Sequence, residues 1–248
     1  MRWLGIEKQK FSMSTQVDLF TNVEGLDVSP TIANAVLCEG TGNLLELFAG
    51  SRSVGKVGEE LGMNVFSVDW QMFDGINLAI DIGEMKKEDV PFIPDVVWAS
   101  PDCTTYTIAA ISTHRNGTEP KSEYAKKCDQ VNRHFIGLIK EWLKINPKMV
   151  FFIENPRGML RKMPFMQEFK RHTIWYCQYG DDRAKPTDIW TNSQKWKPRN
   201  ICHNGNKNCH HQPAPRGSKT GTQGRKGSYE RSKIPRELCL EVLGSAFT

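Results

Sequence analysis

Residues 44–68 constrain the fold more than any other stretch of the chain. Leu44-Leu45-Glu46-Leu47-Phe48 reads as a strand, Ala49-Gly50-Ser51 as a turn, 54–61 as a helix, Gly62-Met63-Asn64 as its stop and Val65-Phe66-Ser67-Val68 as a second strand. This is a βαβ unit with short connections, the signature of a parallel sheet. The alternation continues with a strand at 95–99 and a long amphipathic helix over 122–145, stopped by Pro147. Met149-Val150-Phe151-Phe152-Ile153 follows, a continuous apolar run of the kind buried on both faces of a sheet. A short helix over 165–171, strands at 173–177 and 188–192 (the second antiparallel to the first) and a final helix from 234 to about 243 complete the pattern. Ser29-Pro30 suggests a helix start within an otherwise hard-to-read segment, 1–42. The expected architecture is a doubly wound, mostly parallel α/β sheet with a small basic, loop-rich region.

Charge is distributed unevenly. Residues 191–236 carry 11 Lys and Arg against a single acid, Glu230, a balance of +10, while the rest of the chain stands at −5. The basic segment is rich in Gly, Ser, Thr, Asn and Gln and poor in apolar residues, so phosphate is the partner it suits. No apolar run approaches the about 20 residues of a membrane span, and the first residues lack the apolar core of a signal peptide. Seven cysteines, unevenly spread, do not form a disulfide framework and fit a reducing cytoplasm.

Three strand ends carry chemistry. Cys103 lies one step past the strand at 95–99, where a parallel strand delivers residues to the ligand crevice. Glu154-Asn155 ends the apolar run at 149–153. Gly50 sits in a strand–turn–helix that exposes backbone N–H groups at a helix N-terminus. Asp69, ending the second strand, suits either ribose hydroxyls or a turn cap. No glycine-lysine phosphate loop is present.

The ordered set Leu47-Phe48-Ala49-Gly50, Asp69-Trp70, Asp81-Ile82, Ser100-Pro101-Asp102-Cys103 and Glu154-Asn155-Pro156 resembles the DNA (cytosine-5) methyltransferases. That family has a FAGxGG turn, a PPCQ loop and an ENV loop. Gln178-Tyr179-Gly180 with Arg183 and Lys185 is similar to its Q-x-R-x-R strand, and 232–238 to the segment before its closing helix. The resemblance runs from about 44 to 243. Here Ser51-Arg52-Ser53 stands where the family has its second glycine pair. Asp102 and Thr104 replace the proline and glutamine beside the cysteine, Pro156 replaces valine, and Arg183 and Lys185 are displaced from the usual spacing.

The resemblance implies a Rossmann-like class I methyltransferase fold that uses S-adenosylmethionine. It implies binding of that cofactor by Phe48, Ala49, Gly50, Ser51, Ser53, Val54, Asp69, Trp70, Asp81, Ile82 and Pro101. Catalysis falls to Cys103, Glu154, Asn155 and Arg183: the thiolate adds to carbon 6 of an extruded cytosine, Glu154 faces ring nitrogen 3, and Asn155 holds the loop. Asp102 beside Cys103 would raise the thiol pKa. Contacts to duplex DNA fall to Gln178, Lys185, Arg216, Ser218, Lys219, Thr220, Gln223 and Arg225. The implied organisation is an N-terminal extension (1–42), a catalytic domain (43–191), a target-recognition region (192–231) and a returning helix (232–248). The expected state is monomeric and cytoplasmic, with a restriction-modification or phage-type role and a short target sequence. Two rival readings are an amino-methyltransferase acting on cytosine N4 or adenine N6, and a DNA-binding member of the fold without turnover.

Cys202, Cys209 and His210 invite a zinc reading. Spacing opposes it, because no C-x-x-C is present and adjacent residues point apart, so no metal is expected and the segment reads as a DNA-contacting loop. Cys38, Cys128, Cys177 and Cys239 read as ordinary thiols, and Trp175, Trp190 and Trp196 as packing residues.

Overall fold

The computed structural model describes residues 42–214 and 227–247. The expectations for 1–41 and for Arg216, Ser218, Lys219, Thr220, Gln223 and Arg225 lie outside the described residues. The strands are β1 (Asn43–Leu47), β2 (Asn64–Asp69), β3 (Leu78–Ala79), β4 (Val96–Ala99), β5 (Arg115–Asn116), β6 (Glu119–Pro120), β7 (Val150–Pro156), β8 (Arg171–Trp175) and β9 (Pro186–Thr191). The helices are α1 (Ser53–Glu60), α2 (Ile111–His114), α3 (Glu123–Ile145), α4 (Ser228–Ser232) and α5 (Arg236–Phe247).

Seven strands form one sheet in the order β3-β2-β1-β4-β7-β9-β8, while β5 and β6 make a separate two-stranded ribbon. The pairs β1–β2, β2–β3, β1–β4 and β4–β7 are parallel, and β9 runs antiparallel to both its neighbours. This is a doubly wound, mostly parallel α/β sheet of the Rossmann-like kind. Strand order reverses between β1 and β4, and the crevice outside their carboxyl ends is where such sheets bind ligands.

The continuous apolar runs follow from cover on both faces. Leu44, Val96, Trp98 and Phe152 pack toward Val54 and Val57 of α1 and Leu238, Val242 and Leu243 of α5. Their strand neighbours Leu45, Leu47, Val97, Ala99, Phe151 and Ile153 point the other way, toward Phe135, Leu138, Ile139 and Trp142 of α3. Ser122 caps α3 by accepting from the Ala125 N–H at 3.1 Å.

Two sequence expectations shift. The helix over 165–171 is replaced by short 3-10 turns at Met159–Lys162 and Pro164–Met166, and Arg171 already opens β8. There the Gln167 amide donates to the carbonyls of Arg161 and Met163, both at 2.9 Å, and closes the turn while Leu160, Met163 and Met166 plug the core. The strand expected over 173–177 ends at Trp175, where its partner is Pro186, which has no N–H for the ladder. Tyr176–Tyr179 then curls into a 3-10 turn.

Candidate active site

The turn after β1 is tight and strained. Phe48 (φ 56°) and Arg52 (φ 55°) both occupy the left-handed region that bulky side chains avoid, flanking Gly50 at φ 46°. The surroundings fix them. The Phe48 ring meets Phe135 edge-on at 5.3 Å, Arg52 Nε donates to Ser67 Oγ at 3.1 Å, and the Arg52 guanidinium pairs with Glu59. Glu46, buried in the middle of β1, accepts from the Val54 N–H at 3.1 Å and from Ser67 Oγ–H at 2.9 Å, so it caps the start of α1 from inside the sheet. Burial pushes its carboxyl up to about 7, against those hydrogen bonds. A Cβ on Gly50 would meet nothing within 4 Å, so the turn faces open space.

Asp69 holds this turn. Its Oδ2 accepts from the Gly50 N–H at 2.9 Å and its Oδ1 from the Gln71 N–H at 3.1 Å. Of its two sequence readings, turn cap and ribose acceptor, the geometry displays the first. Beside it the Trp70 side chain is 74% exposed at the end of β2. Ser51 and Ser53 share a 2.8 Å hydrogen bond, and Ser53 Oγ also accepts from the Ile234 N–H at 3.1 Å, joining the turn to the segment before α5. Asp81 accepts from the Gly83 N–H at 2.9 Å and pairs with Lys127 at 2.7 Å, which lowers its pKa. Ile82 and Val54 are buried in the two core clusters, on opposite faces of the sheet.

Cys103 lies past β4, partly exposed, opposite the end of β7. The link between them is Asn155, whose Nδ2 donates to the Pro101 carbonyl at 2.8 Å. Glu154 and Asn155 extend β7 and pair with Ile189 and Asp188 of β9, so both are buried. Burial pushes the Cys103 thiol up to about 11. Lys185 opposes that shift, while Asp102 and Glu154 add to it. The sequence singled out Asp102 as the source of a raised thiol pKa, but burial is the larger cause. Asp102 is itself occupied, accepting from the Thr104 N–H at 2.6 Å and from the Tyr124 hydroxyl.

Two groups on Glu154 were not anticipated. Tyr176 is buried and its hydroxyl donates to Glu154 Oε1 at 2.8 Å. Lys185, expected on the nucleic-acid surface, is buried instead, with Nζ 3.9 Å from Glu154 Oε1 and 4.5 Å from the centre of the Tyr176 ring. Burial lowers the Lys185 pKa, with Glu154 opposing. Arg183, expected to be catalytic, is also buried, and its guanidinium pairs with Asp181 and donates to the carbonyls of Arg231 and Lys233, both at 3.2 Å. It stacks 5.5 Å from the Tyr176 ring and therefore reaches Glu154 only through that ring. The Gln178 amide lies against the sulfurs of Cys177 and Cys209.

A buried ionic network holds the Cys103 loop from below. Arg115 of β5 pairs with Asp129 of α3 at 2.6 Å, with side chains 0% and 3% exposed. The Tyr106 hydroxyl donates to Asp129 at 2.6 Å, Asn132 donates to Tyr106 at 2.9 Å, and Arg115 Nε donates to the Thr105 carbonyl at 3.0 Å. On the other side, a Cβ on Gly158 would come within 2.4 Å of the Tyr106 carbonyl, so the loops after β4 and β7 touch backbone to side-chain-free backbone. No sequence signal marks Arg115, which lies in a stretch before the helix over 122–145 that the sequence assigns to no element.

The site thus sets a thiol, a carboxylate with a lysine and a tyrosine hydroxyl, and an open glycine turn along the carboxyl ends of the central strands β1, β4 and β7. No protein-family model matches the sequence, and no curated protein does. Among solved structures, the Entamoeba histolytica methyltransferase EhMeth is 13% identical, with 66% of this chain and 57% of that one covered and a TM-score of 0.47. A mutant of Spodoptera frugiperda DNMT2 is 17% identical, with 70% and 57% covered and a TM-score of 0.43. The S. pombe Dnmt2 methyltransferase is 12% identical, with 65% and 52% covered and a TM-score of 0.43. The chain spans little more than half the length of each, and at these identities and TM-scores the similarity assigns neither residue nor activity.

Proposed function

We propose that this chain methylates carbon 5 of cytosine in DNA, using S-adenosylmethionine and a covalent adduct on Cys103 with an extruded base. The observation that carries this reading is the junction of the β4 and β7 ends, where Asn155 ties the Cys103 loop to the strand that presents Glu154, itself held by Tyr176 and Lys185. Cytosine carbon 5 is a poor nucleophile until a thiolate adds at carbon 6. Cys103 Sγ forms that bond, and the displaced electron pair is taken up through ring nitrogen 3, facing Glu154. Carbon 5, made enamine-like by that addition, would take the methyl group as the methyl–sulfur bond breaks with its pair left on sulfur. The carbon-5 proton then leaves to a base, the C–H pair re-forms the C5–C6 double bond, and the S–C6 bond breaks to return the thiolate. Glu154 receives one hydrogen bond from Tyr176 and sits beside the Lys185 ammonium, an arrangement that orients its carboxyl toward a ring nitrogen. Lys185 also favours the thiolate of Cys103, which burial otherwise disfavours.

S-adenosylmethionine would be held at the open Gly50 turn, with the exposed Trp70 indole beside it, and when bound it supplies an electrophilic methyl group. The basic segment of 192–231 suits the phosphate backbone of duplex DNA and a short target sequence.

The test is to trap the chain on 5-fluorocytosine duplex DNA with S-adenosylmethionine and to locate the adduct by mass spectrometry. The expected adduct is on Cys103, and Cys103→Ala removes it together with methyl transfer, by more than about a thousandfold. Undiminished transfer by Cys103→Ala would favour the amino-methyltransferase reading. A parallel arm with RNA of the same sequence reports the nucleic acid.

A further inference from the structure

Cys177, Cys202, Cys209 and His211 come from three stretches of chain, yet their candidate ligand atoms all lie within 4.8 Å of one another. We propose that these four residues bind one structural zinc ion, which pins the loop after β9 to the end of β8. A tetrahedral zinc with Zn–S near 2.3 Å and Zn–N near 2.0 Å requires S···S edges of about 3.8 Å and S···N edges of about 3.6 Å. Cys202 Sγ and His211 Nδ1 are 3.8 Å apart, already at that spacing.

The position of each ligand follows from local structure. Cys177 sits in the 3-10 turn after β8, and Cys202 and Cys209 flank turns closed by the Asn206 N–H on the His203 carbonyl and the Cys209 N–H on the Asn206 carbonyl, each at 3.2 Å. Cys209 and His210 are adjacent and diverge, as the sequence predicts: His210 is exposed, with Nε2 3.0 Å from the Asp181 carbonyl. His211, two residues beyond Cys209, returns to the same side and is buried. The adjacency argument against zinc therefore removes His210 alone, and Cys177, thirty-two residues upstream of Cys209, supplies the thiol that no local spacing could show.

Three further features fit an ion. All six cysteines among the described residues are free thiols, and a disulfide would pair only two of these three sulfurs. Amide donors surround the sulfurs: Gln178 Nε2 lies 3.8 Å from Cys177 Sγ and 3.6 Å from Cys209 Sγ, and Asn206 Nδ2 lies 3.4 Å from Cys202 Sγ. Such donors stabilise thiolate charge around a metal. Among the described residues the apolar satellite core around the cluster holds little beyond Ala184 and Trp175.

On binding, the three thiols release their protons to solvent, the imidazole enters neutral through Nδ1, and a singly negative centre results. The Nε2 proton then takes the place of the lone pair that now faces the Gly205 N–H at 3.3 Å, so that contact loosens. Four protein ligands close the coordination shell, which makes the ion structural and leaves no position for substrate; soft thiolates with imidazole select zinc.

The experiment uses the full chain, purified under reducing conditions without added metal. Metal analysis should find about one zinc per chain. Cys202→Ser and His211→Ala should each lose it, and His210→Ala should keep it. Cobalt(II) added to the chelator-stripped wild type should give thiolate-to-metal charge-transfer bands that saturate at one equivalent. That measurement stands even if the variants fail to fold. A folded wild-type chain with neither zinc nor a cobalt–thiolate spectrum overturns the proposal. So does a disulfide within the trio in protein kept reduced, or loss of zinc by His210→Ala equal to that by His211→Ala.

Discussion

Around β1, β4 and β7 the buried groups are Leu45, Val97, Ile153 and their like, whereas between 192 and 214 they are Ser193, Trp196, Cys202 and His211. The first region is ordered by apolar burial on both faces of a parallel sheet, at roughly 1.5–3 kcal/mol for each large side chain removed from water. The second contains no strand or helix among its described residues and is tied down by side-chain contacts to its neighbours. Arg199 bridges Glu237 and Glu241 of α5 and donates to the Gln178 carbonyl, while the Gln212 N–H donates to the Asp182 carbonyl at 3.0 Å. A sheet positions reacting groups through many small apolar contacts, so no single one is decisive. The loop depends on a few polar groups, and losing one of them matters.

The strongest way to break this contrast is to attack the polar network inside the sheet region. Arg115→Met leaves Asp129 buried and unpaired, and should destabilise the chain by about 3–5 kcal/mol in denaturant unfolding. Changing Asp129 to Leu in the same chain should recover most of that loss. Metal content per folded molecule should be unchanged in both, since none of Arg115, Asp129, Tyr106 and Asn132 shares a hydrogen bond or ion pair with Cys177, Cys202, Cys209 or His211.

A smaller effect sharpens the electrostatic side. Glu46 has its folded pKa raised to about 7 from an ordinary 4.5, so its ionisation opposes folding. Its protonated form is the one the fold favours. Wild-type stability is therefore highest below pH 4.5, as far as this group is concerned, and declines through the window from about 4.5 to about 7, by at most about 3 kcal/mol. Glu46→Gln should flatten that decline, with a melting-temperature gain that is larger at pH 8 than at pH 5. A gain equal at both pH values would mean that Glu46 is not the group responsible.

The mildest perturbation is Asn155→Ala, which removes the donor to the Pro101 carbonyl. A stability loss of about 1–3 kcal/mol is expected from the orphaned acceptor. Methyl transfer should fall further than stability does, by about a hundredfold, because the Cys103 loop loses its register with Glu154. Equal falls in turnover and in the folded fraction at assay temperature would reduce Asn155 to a packing residue.

Much of the sheet could be read from the chain. The βαβ unit at 44–68, the buried run at 149–153 and the long amphipathic helix all lie where period and turn chemistry put them, because cover on both faces writes itself into composition. The 3-10 turns at 159–166 were not legible, since Leu160, Met163 and Met166 are apolar at a spacing that a helix would also use. Strand ends pointed to Cys103 and Glu154 directly. Lys185 and Tyr176 were not legible as partners of Glu154: the resemblance to the Q-x-R-x-R strand pointed Lys185 at nucleic acid, and only the β8–β9 return turns it inward. Arg115 had no signal at all, being one charged residue in a stretch without hydrophobic period.

By itself the sequence determined the alternation of strands and helices, the strand-end placement of the thiol and carboxylate, and the concentration of positive charge in 191–236, because each is a local property of spacing or composition. Tertiary structure alone decided which groups meet: Asn155 on Pro101, Lys185 and Tyr176 on Glu154, and Cys177 beside Cys202, Cys209 and His211. Those pairs are separated by tens of residues, and what brings them together is strand order, which no local pattern encodes.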